Sequence, residues 1–226
     1  MNPIRFNFIK QNISGDLSDK TVLEVGSRIV SGSIRGYFET LNPKEYVGVD
    51  IVAGEGVDLI LNIHELASHF GENVFDIIVC SDTLEHIEDY QSASLNMHTV
   101  LKIGGILIVS VPTMQSHYHG FPHDYWRYTL DDLRHIYKVM KVIGADDTEG
   151  AIVILEKQSE EYYFEPNYPI YSILRGKPII KHNLIDKKLL SLYRIYILAL
   201  RRFFVRYTPP AIKKMITKNF TIPPVS

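Results

Sequence analysis

A single cysteine, Cys80, is all the thiol that this 226-residue chain carries. That excludes an internal disulfide framework and a cysteine-built metal site, and it fits a reducing compartment. No run reaches the roughly 18 uncharged apolar residues of a membrane-spanning helix. The opening stretch MNPIRFNFIKQNISGDLSDK has neither a long apolar segment nor a small-residue cleavage site, so a cytoplasmic protein is expected. A GxGxxG dinucleotide fingerprint and a Walker lysine are also missing. Low-complexity tracts and internal repeats are absent too, and a composition of 46% hydrophobic and 22% charged residues places the chain among globular proteins.

Acid is scarce in one region only. Residues 1–174 hold 12 Lys and Arg against 25 Asp and Glu, whereas residues 175–226 hold 12 basic residues and one acid, Asp186. The split predicts an acidic folded body, residues 1–160, and a basic, aromatic extension, residues 161–226. The basic residues of the extension come with apolar runs rather than a polar stripe, which argues against nucleic acid as the partner.

Short apolar runs alternate with stretches of helical length up to about residue 157. Thr21–Val25, Tyr46–Asp50, Val57–Leu61, Val74–Cys80 and Gly105–Val111 read as strands buried on both faces. Ser33–Leu41, His64–Phe70 and Tyr90–Leu101 lie between them with helical length. The pattern predicts an α/β, doubly wound, mostly parallel sheet. Two last runs, Lys138–Ile143 and Ala151–Glu156, are joined by the turn ADDTEG and predict an antiparallel hairpin at one sheet edge. The aromatic stretch Tyr162–Pro178 reads as a connection between body and extension.

Ligands of open α/β sheets bind beyond the carboxyl ends of the strands. Beyond the first strand stand Glu24, Gly26, Ser27, Arg28 and Gly32, with glycine giving backbone close access to a ligand. Asp50 ends the second strand, where an acid can accept both hydroxyls of a ribose. Asn62 and Ile63 follow the third, an amide and an apolar side chain suited to an adenine. Ser81 and Asp82 end the fourth. Asp82 is also a candidate helix start, with Glu85 as its capping partner.

These residues resemble the class I S-adenosylmethionine-dependent methyltransferases. VLEVGSR is similar to the first glycine motif and YVGVD to the second, while FDIIVCSDTLEHIED and VLKIGGILIVSVP match the fourth- and fifth-strand motifs. The resemblance spans residues 18–157. It implies a seven-stranded sheet ending in the hairpin, S-adenosylmethionine as cofactor and S-adenosylhomocysteine as product. Glu24 would engage the methionine end and Asp50 the ribose, with Gly26, Ser27, Arg28, Gly32, Ile51, Asn62, Ile63, Ser81 and Asp82 completing the cofactor site. Two departures stand out: the second glycine of the first motif is Arg28, and the acid often found after the third strand is Asn62.

The stretch from Pro112 to Thr129 holds His117, His119, His123, the lone Trp126 and several more aromatic residues, as a lid or acceptor pocket would. His117, His119 and His123 fit no zinc spacing, so no metal is expected. Methylating a hydroxyl requires removal of its proton, and histidine is the natural base near neutral pH. His123, His119 and His86 are the candidates, with Asp124 as an orienting carboxylate, although Asp124 with Arg127 also suits a purely structural pair. Thr129 reads as a helix cap. The expected activity is methyl transfer to an oxygen of a small-molecule or glycan-type acceptor. N- or C-methylation of a small metabolite, or a catalytically silent cofactor-binding partner, are the alternatives.

Residues 187–207, free of glycine and proline, predict one helix with Lys187, Lys188, Arg194, Arg201, Arg202 and Arg206 on one side and a wide apolar face opposite. Such a helix suits the body, a second copy of the chain in a homodimer, or peripheral contact with a membrane surface.

Overall fold

The computed structural model describes residues 2–30, 32–119 and 123–182, which excludes the predicted basic helix of residues 187–207. Its compact body runs to Lys181, so residues 161–181, which the sequence groups with the extension, fold with the body.

Seven strands make one sheet in the order β3 (Leu59–Ile60), β2 (Glu45–Asp50), β1 (Thr21–Val25), β4 (Phe75–Ser81), β5 (Leu101–Ser110), β8 (Ile152–Glu156) and β7 (Lys141–Asp146). All neighbours are parallel except that β8 runs antiparallel to both β5 and β7. The expected α/β sheet and its terminal hairpin are both present. The hairpin's first strand sits three residues later than expected, because Lys138 and Met140 still close backbone bonds onto the end of the preceding helix. β5 begins at Leu101 rather than Gly105, with an irregularity opposite Phe75–Ile77 where LKIGG loops out of register.

Strand alternation splits the core into two layers. Val22, Ile77, Val79, Ile108, Ile152 and Ile154 face one side and pack with Ile9 and Ile13, Ile34 and Phe38. The first pair belongs to α1 (Pro3–Asn12) and its cap, the second to the start and interior of α2 (Arg35–Thr40). Each such side chain taken fully out of water contributes about 1.5–3 kcal/mol. Leu23, Ile78, Leu107 and Val109 point the other way and are also fully buried, as are Ala93, Met97 and Val100 of α4 (Tyr90–Val100). α3 (Leu66–Phe70) packs on α4, and α5 (Leu130–Ile136) packs against β7 and β8. Thr129 caps α5 as expected, in a reciprocal capping box with Asp132.

The stretch read as a connection instead forms a second small sheet, in which β9 (Ile170–Ser172) pairs with both β6 (Trp126–Arg127) and β10 (Lys177–Ile179). Lys157 anchors the start of this stretch. Its fully buried ammonium donates to the carbonyls of His98 (2.9 Å) and Leu101 (2.7 Å) and to Asn73 (3.1 Å) and Glu160 (2.8 Å). The second sheet holds the segment before α5 through β6 and through the Ile173 N–H on the Tyr125 carbonyl, and the Tyr125 N–H in turn donates to the Glu85 carbonyl beyond β4. Among the described residues, no helix is long and apolar enough to cross a membrane.

Candidate active site

The loop leaving β1 turns at Gly26, whose φ of 74° is left-handed. A Cβ there would collide with the side chain of Thr83. The Thr83 hydroxyl lies 3.0 Å from the Ser81 carbonyl and 3.3 Å from that of Val25, so Thr83 ties the loops after β1 and β4 together. The N–H groups of Gly26 and Ser27 both donate to the Val49 carbonyl, at 2.9 and 3.1 Å. Arg28 N–H then approaches Asp50 Oδ2 at 3.4 Å, and Ile29 N–H donates to Glu55 at 2.9 Å. The chain therefore crosses the end of β2, which is how it turns without the second glycine. Gly54 makes room for this path, since a Cβ there would lie 2.7 Å from Cγ of Arg28. Gly32, at φ 119°, is left-handed as well.

Asp50 also accepts from Val52 N–H at 3.0 Å, and Ile51 beside it is 52% exposed. Asn62 spends its side-chain oxygen on the N–H of His64 at 3.0 Å, starting a 3-10 turn in which Ile63 is buried. Ser27 is buried too, its Oγ without a hydrogen-bond partner. Ser81 Oγ lies 2.8 Å from Ser110 Oγ across β4 and β5.

Glu24 is buried at the end of β1, 6% exposed. The Tyr46 hydroxyl donates to its Oε2 at 2.8 Å, and the Arg35 guanidinium stacks 4.7 Å from the Tyr46 ring centroid while pairing with Asp58. Burial drives the Glu24 pKa up to about 7, with the Tyr46 hydrogen bond and the Arg35 charge pulling the other way.

Asp82 does not act as a cap. It takes a left-handed φ of 49° and pairs with Arg5 of α1, Oδ1 to Nη1 at 2.5 Å. A single 3-10 turn, Leu84–His86, follows. Glu85 within it is fully buried, and neither carboxylate oxygen has a hydrogen-bond donor. Two imidazoles face it: Nε2 of His86 and Nε2 of His119 each lie 3.7 Å from Oε1. The rings stand edge to face, their centroids 5.1 Å apart.

The other nitrogen of each ring is held from outside. His86 Nδ1 lies 2.6 Å from the His123 carbonyl, so this nitrogen carries the proton and donates it. His119 Nδ1 faces the His117 carbonyl at 3.0 Å and Asp124 Oδ2 at 3.3 Å. These two oxygens outweigh a longer 3.4 Å contact with Arg127 Nη2, and Nδ1 is again the donor. The Glu85 carboxylate beside it raises the pKa of His119 from its ordinary value, against the opposing effect of partial burial.

Asp124 holds this frame together. It is fully buried, takes Arg127 bidentately at 2.5 and 2.7 Å, and accepts the His119 backbone N–H at 2.9 Å. Arg127 also donates to the carbonyls of Ser116, His117 and Trp126. The structural and orienting readings of Asp124 are thus one arrangement. Of the three histidines singled out from the sequence, His86 and His119 converge on Glu85, and His123 joins through its carbonyl. Arg5 and Glu85 had no functional sign in the sequence beyond the capping spacing of Glu85.

The profile of a family described as "Methyltransferase domain" matches residues 5–143. This chain belongs to that family. The Rickettsia bellii ubiquinone biosynthesis O-methyltransferase is 26% identical over 121 residues, covering 49% of this chain and 50% of that protein. The Pseudomonas putida protein of the same name is 29% identical over 125 residues, covering 49% and 51%. The chain thus spans about half the length of the curated relatives that it matches. Among solved structures, the fold resembles the Burkholderia thailandensis 1,6-didemethyltoxoflavin-N1-methyltransferase with bound S-adenosylhomocysteine. Its TM-score is 0.52 at 13% identity, covering 70% of this chain and 78% of that one. An S-adenosylmethionine-dependent methyltransferase from Aquifex aeolicus gives 0.51 at 14% identity, covering 68% and 92%. The architecture is that of a class I S-adenosylmethionine-dependent methyltransferase.

The residues at the strand ends fit that family's cofactor. The Asp50 carboxylate has lone pairs beyond the two backbone contacts it makes. The exposed Ile51 and Val52 offer apolar surface for an adenine at the open end of β2.

Proposed function

We propose that this chain transfers the methyl group of S-adenosylmethionine to a hydroxyl oxygen of a small-molecule or glycan-type acceptor. The carrying observation is the histidine pair formed by His86, beyond β4, and His119, beyond β5. Both rings have Nδ1 locked onto carbonyl or carboxylate oxygens, so both present Nε2 inward toward a buried carboxylate. That arrangement handles an acidic proton, which oxygen methylation needs and sulfur or amine methylation needs less.

The sulfonium of the cofactor supplies an already activated methyl group, so the protein's work is placement and deprotonation. Asp50 would hold the ribose hydroxyls, with Ile51 and Ile63 bracketing the base. The loop after β5, closed by Asp124 and Arg127, would set His119 against an acceptor at the carboxyl end of the sheet. Oxygen as the acceptor atom also agrees with the name that the curated relatives carry.

Calorimetric titration with S-adenosylhomocysteine tests the cofactor, with Asp50→Ala as control. Two hydrogen bonds to a charge are lost, and each is worth about 1.5–3 kcal/mol, so binding should weaken by about 100-fold or more. A methyl-label screen over phenols, sugars and amines then tests the atom. Label appearing only on amines would sink the oxygen assignment.

A further inference from the structure

Glu85 poses a problem that methyl transfer alone does not answer. A fully buried carboxylate with no hydrogen-bond donor is costly unless something positive sits against it. Facing it are two nitrogens whose rings are oriented to offer lone pairs, not protons, as long as each ring is neutral. An oxygen and two ring nitrogens converging on one point with their lone pairs is the donor set of a metal ion.

We propose that Glu85, His86 and His119 bind a divalent transition-metal cation, of the Zn2+ or Mn2+ type, at the acceptor side of the active site. The three ligand atoms lie within 4.8 Å of one another. Donors bound about 2.1 Å from a common ion stand about 3–3.5 Å apart, so the two 3.7 Å nitrogen–oxygen separations close with a few tenths of an ångström of movement, and the two ring nitrogens, within 4.8 Å of each other, draw together by at most about 1.5 Å. The surroundings have the form that metal-ligating histidines require. The second nitrogen of each ring is anchored, His86 on the His123 carbonyl and His119 on the His117 carbonyl and Asp124, which fixes tautomer and direction. Arg127 fixes Asp124 in turn. Mixed imidazole and carboxylate donors favour a first-row transition metal over Mg2+ or Ca2+.

Three protein ligands leave coordination positions open. Glu85 and its neighbour Asp124 are fully buried, whereas His119 is 44% exposed and forms the side open to a ligand. The inference rests on the oxygen-methylation reading for its purpose: a cation there would bind the acceptor hydroxyl and lower its pKa, so that the proton leaves to solvent. The oxygen lone pair then forms the C–O bond while the C–S pair returns to sulfur, giving a neutral thioether. On this view the histidine pair acts on the acceptor's proton through the cation it holds, which acidifies the hydroxyl, rather than by taking the proton on Nε2.

The test uses the full chain, stripped with a chelator and dialysed against Zn2+ or Mn2+, with metal content and calorimetric binding measured beside S-adenosylhomocysteine binding. The expected result is one cation per chain, with affinity lowered at least 100-fold in His119→Ala and in Glu85→Gln, and cofactor affinity unchanged in His119→Ala. His119→Ala keeps the test decisive if the buried Glu85→Gln variant fails to fold. Cofactor binding without metal binding overturns the cation site and leaves the methyltransferase reading standing. Metal binding that survives both substitutions also overturns it, because the ion then sits elsewhere. Metal binding lost in His119→Ala, in a protein that never binds the cofactor, supports the site and removes the oxygen-methylation purpose.

Discussion

Arg5 and Asp82, 77 residues apart, form an ion pair of 2.5 Å that fastens α1 to the loop beyond β4. The Arg5 side chain is 6% exposed and that of Asp82 31%, so solvent screens the pair only in part. Truncating Arg5 leaves a half-covered carboxylate on a left-handed backbone position at the crevice. Arg5→Ala should cost about 1–3 kcal/mol of stability by chemical denaturation. S-adenosylhomocysteine binding should weaken as the loop loosens, and Arg5→Lys should recover part of both losses. Unchanged denaturation midpoints would mean that the pair is ornamental.

Asp124 and Arg127 carry a heavier consequence, since both side chains are fully buried. Removing one charge strands the other, which costs about 3–5 kcal/mol. Asp124→Asn keeps the shape and an acceptor for the His119 N–H, so any loss reports the charge. It should lower the unfolding free energy by that amount and abolish methyl transfer. A variant within about 1 kcal/mol of wild type would refute the account of the loop.

Much of this frame was legible in the sequence, and the missing parts have physical reasons. The run TVLEV matches β1 residue for residue because Val22, Leu23 and Val25 put apolar side chains on both faces, as a strand covered on both sides requires. Thr129 announced its helix through the acid three residues later. α1 has a start signal, since Asn2 accepts the Ile4 N–H and Pro3 takes the first helical position, but no strong apolar stripe follows to mark it as a helix. β6, β9 and β10 have two or three residues each, too few for any periodicity to show. The Glu85–His119 encounter was equally hidden. It spans 34 positions and depends on the Arg127 anchor, whereas the local spacing of His117, His119 and His123 suggested a different and unassembled trio.

Glu24 gives a pH signature. Its folded pKa of about 7 lies above the ordinary carboxylate value of 4.5, so between those limits the folded chain binds more protons than the unfolded one. Stability contributed by this group is therefore present at low pH, falls as pH rises through that window, and stays lost above it. Glu24→Gln retains an acceptor for Tyr46 without the charge. It should match wild type near pH 4.5 and exceed it by about 1–3 kcal/mol at pH 8, read from denaturant midpoints. Equal stability at both pH values would mean that Glu24 is solvated in solution.

Gly26 is required twice over, and the two requirements can be separated. Its left-handed φ of 74° costs any L-residue about 1 kcal/mol, and a Cβ would also be driven into Thr83. Thr83 is the tie between the loops after β1 and β4, so it cannot retreat without releasing the Val25 and Ser81 carbonyls. Gly26→Ala should therefore lose about 2–4 kcal/mol and most cofactor affinity. Adding Thr83→Ala removes the two worst contacts, those with Oγ1 and Cγ2, and leaves the 2.9 Å contact with Cβ and the backbone cost. The double variant should regain stability over Gly26→Ala, while Thr83→Ala alone loses about 1 kcal/mol with the tie. That non-additivity is the decisive reading, because two residues that did not touch would give losses that simply sum.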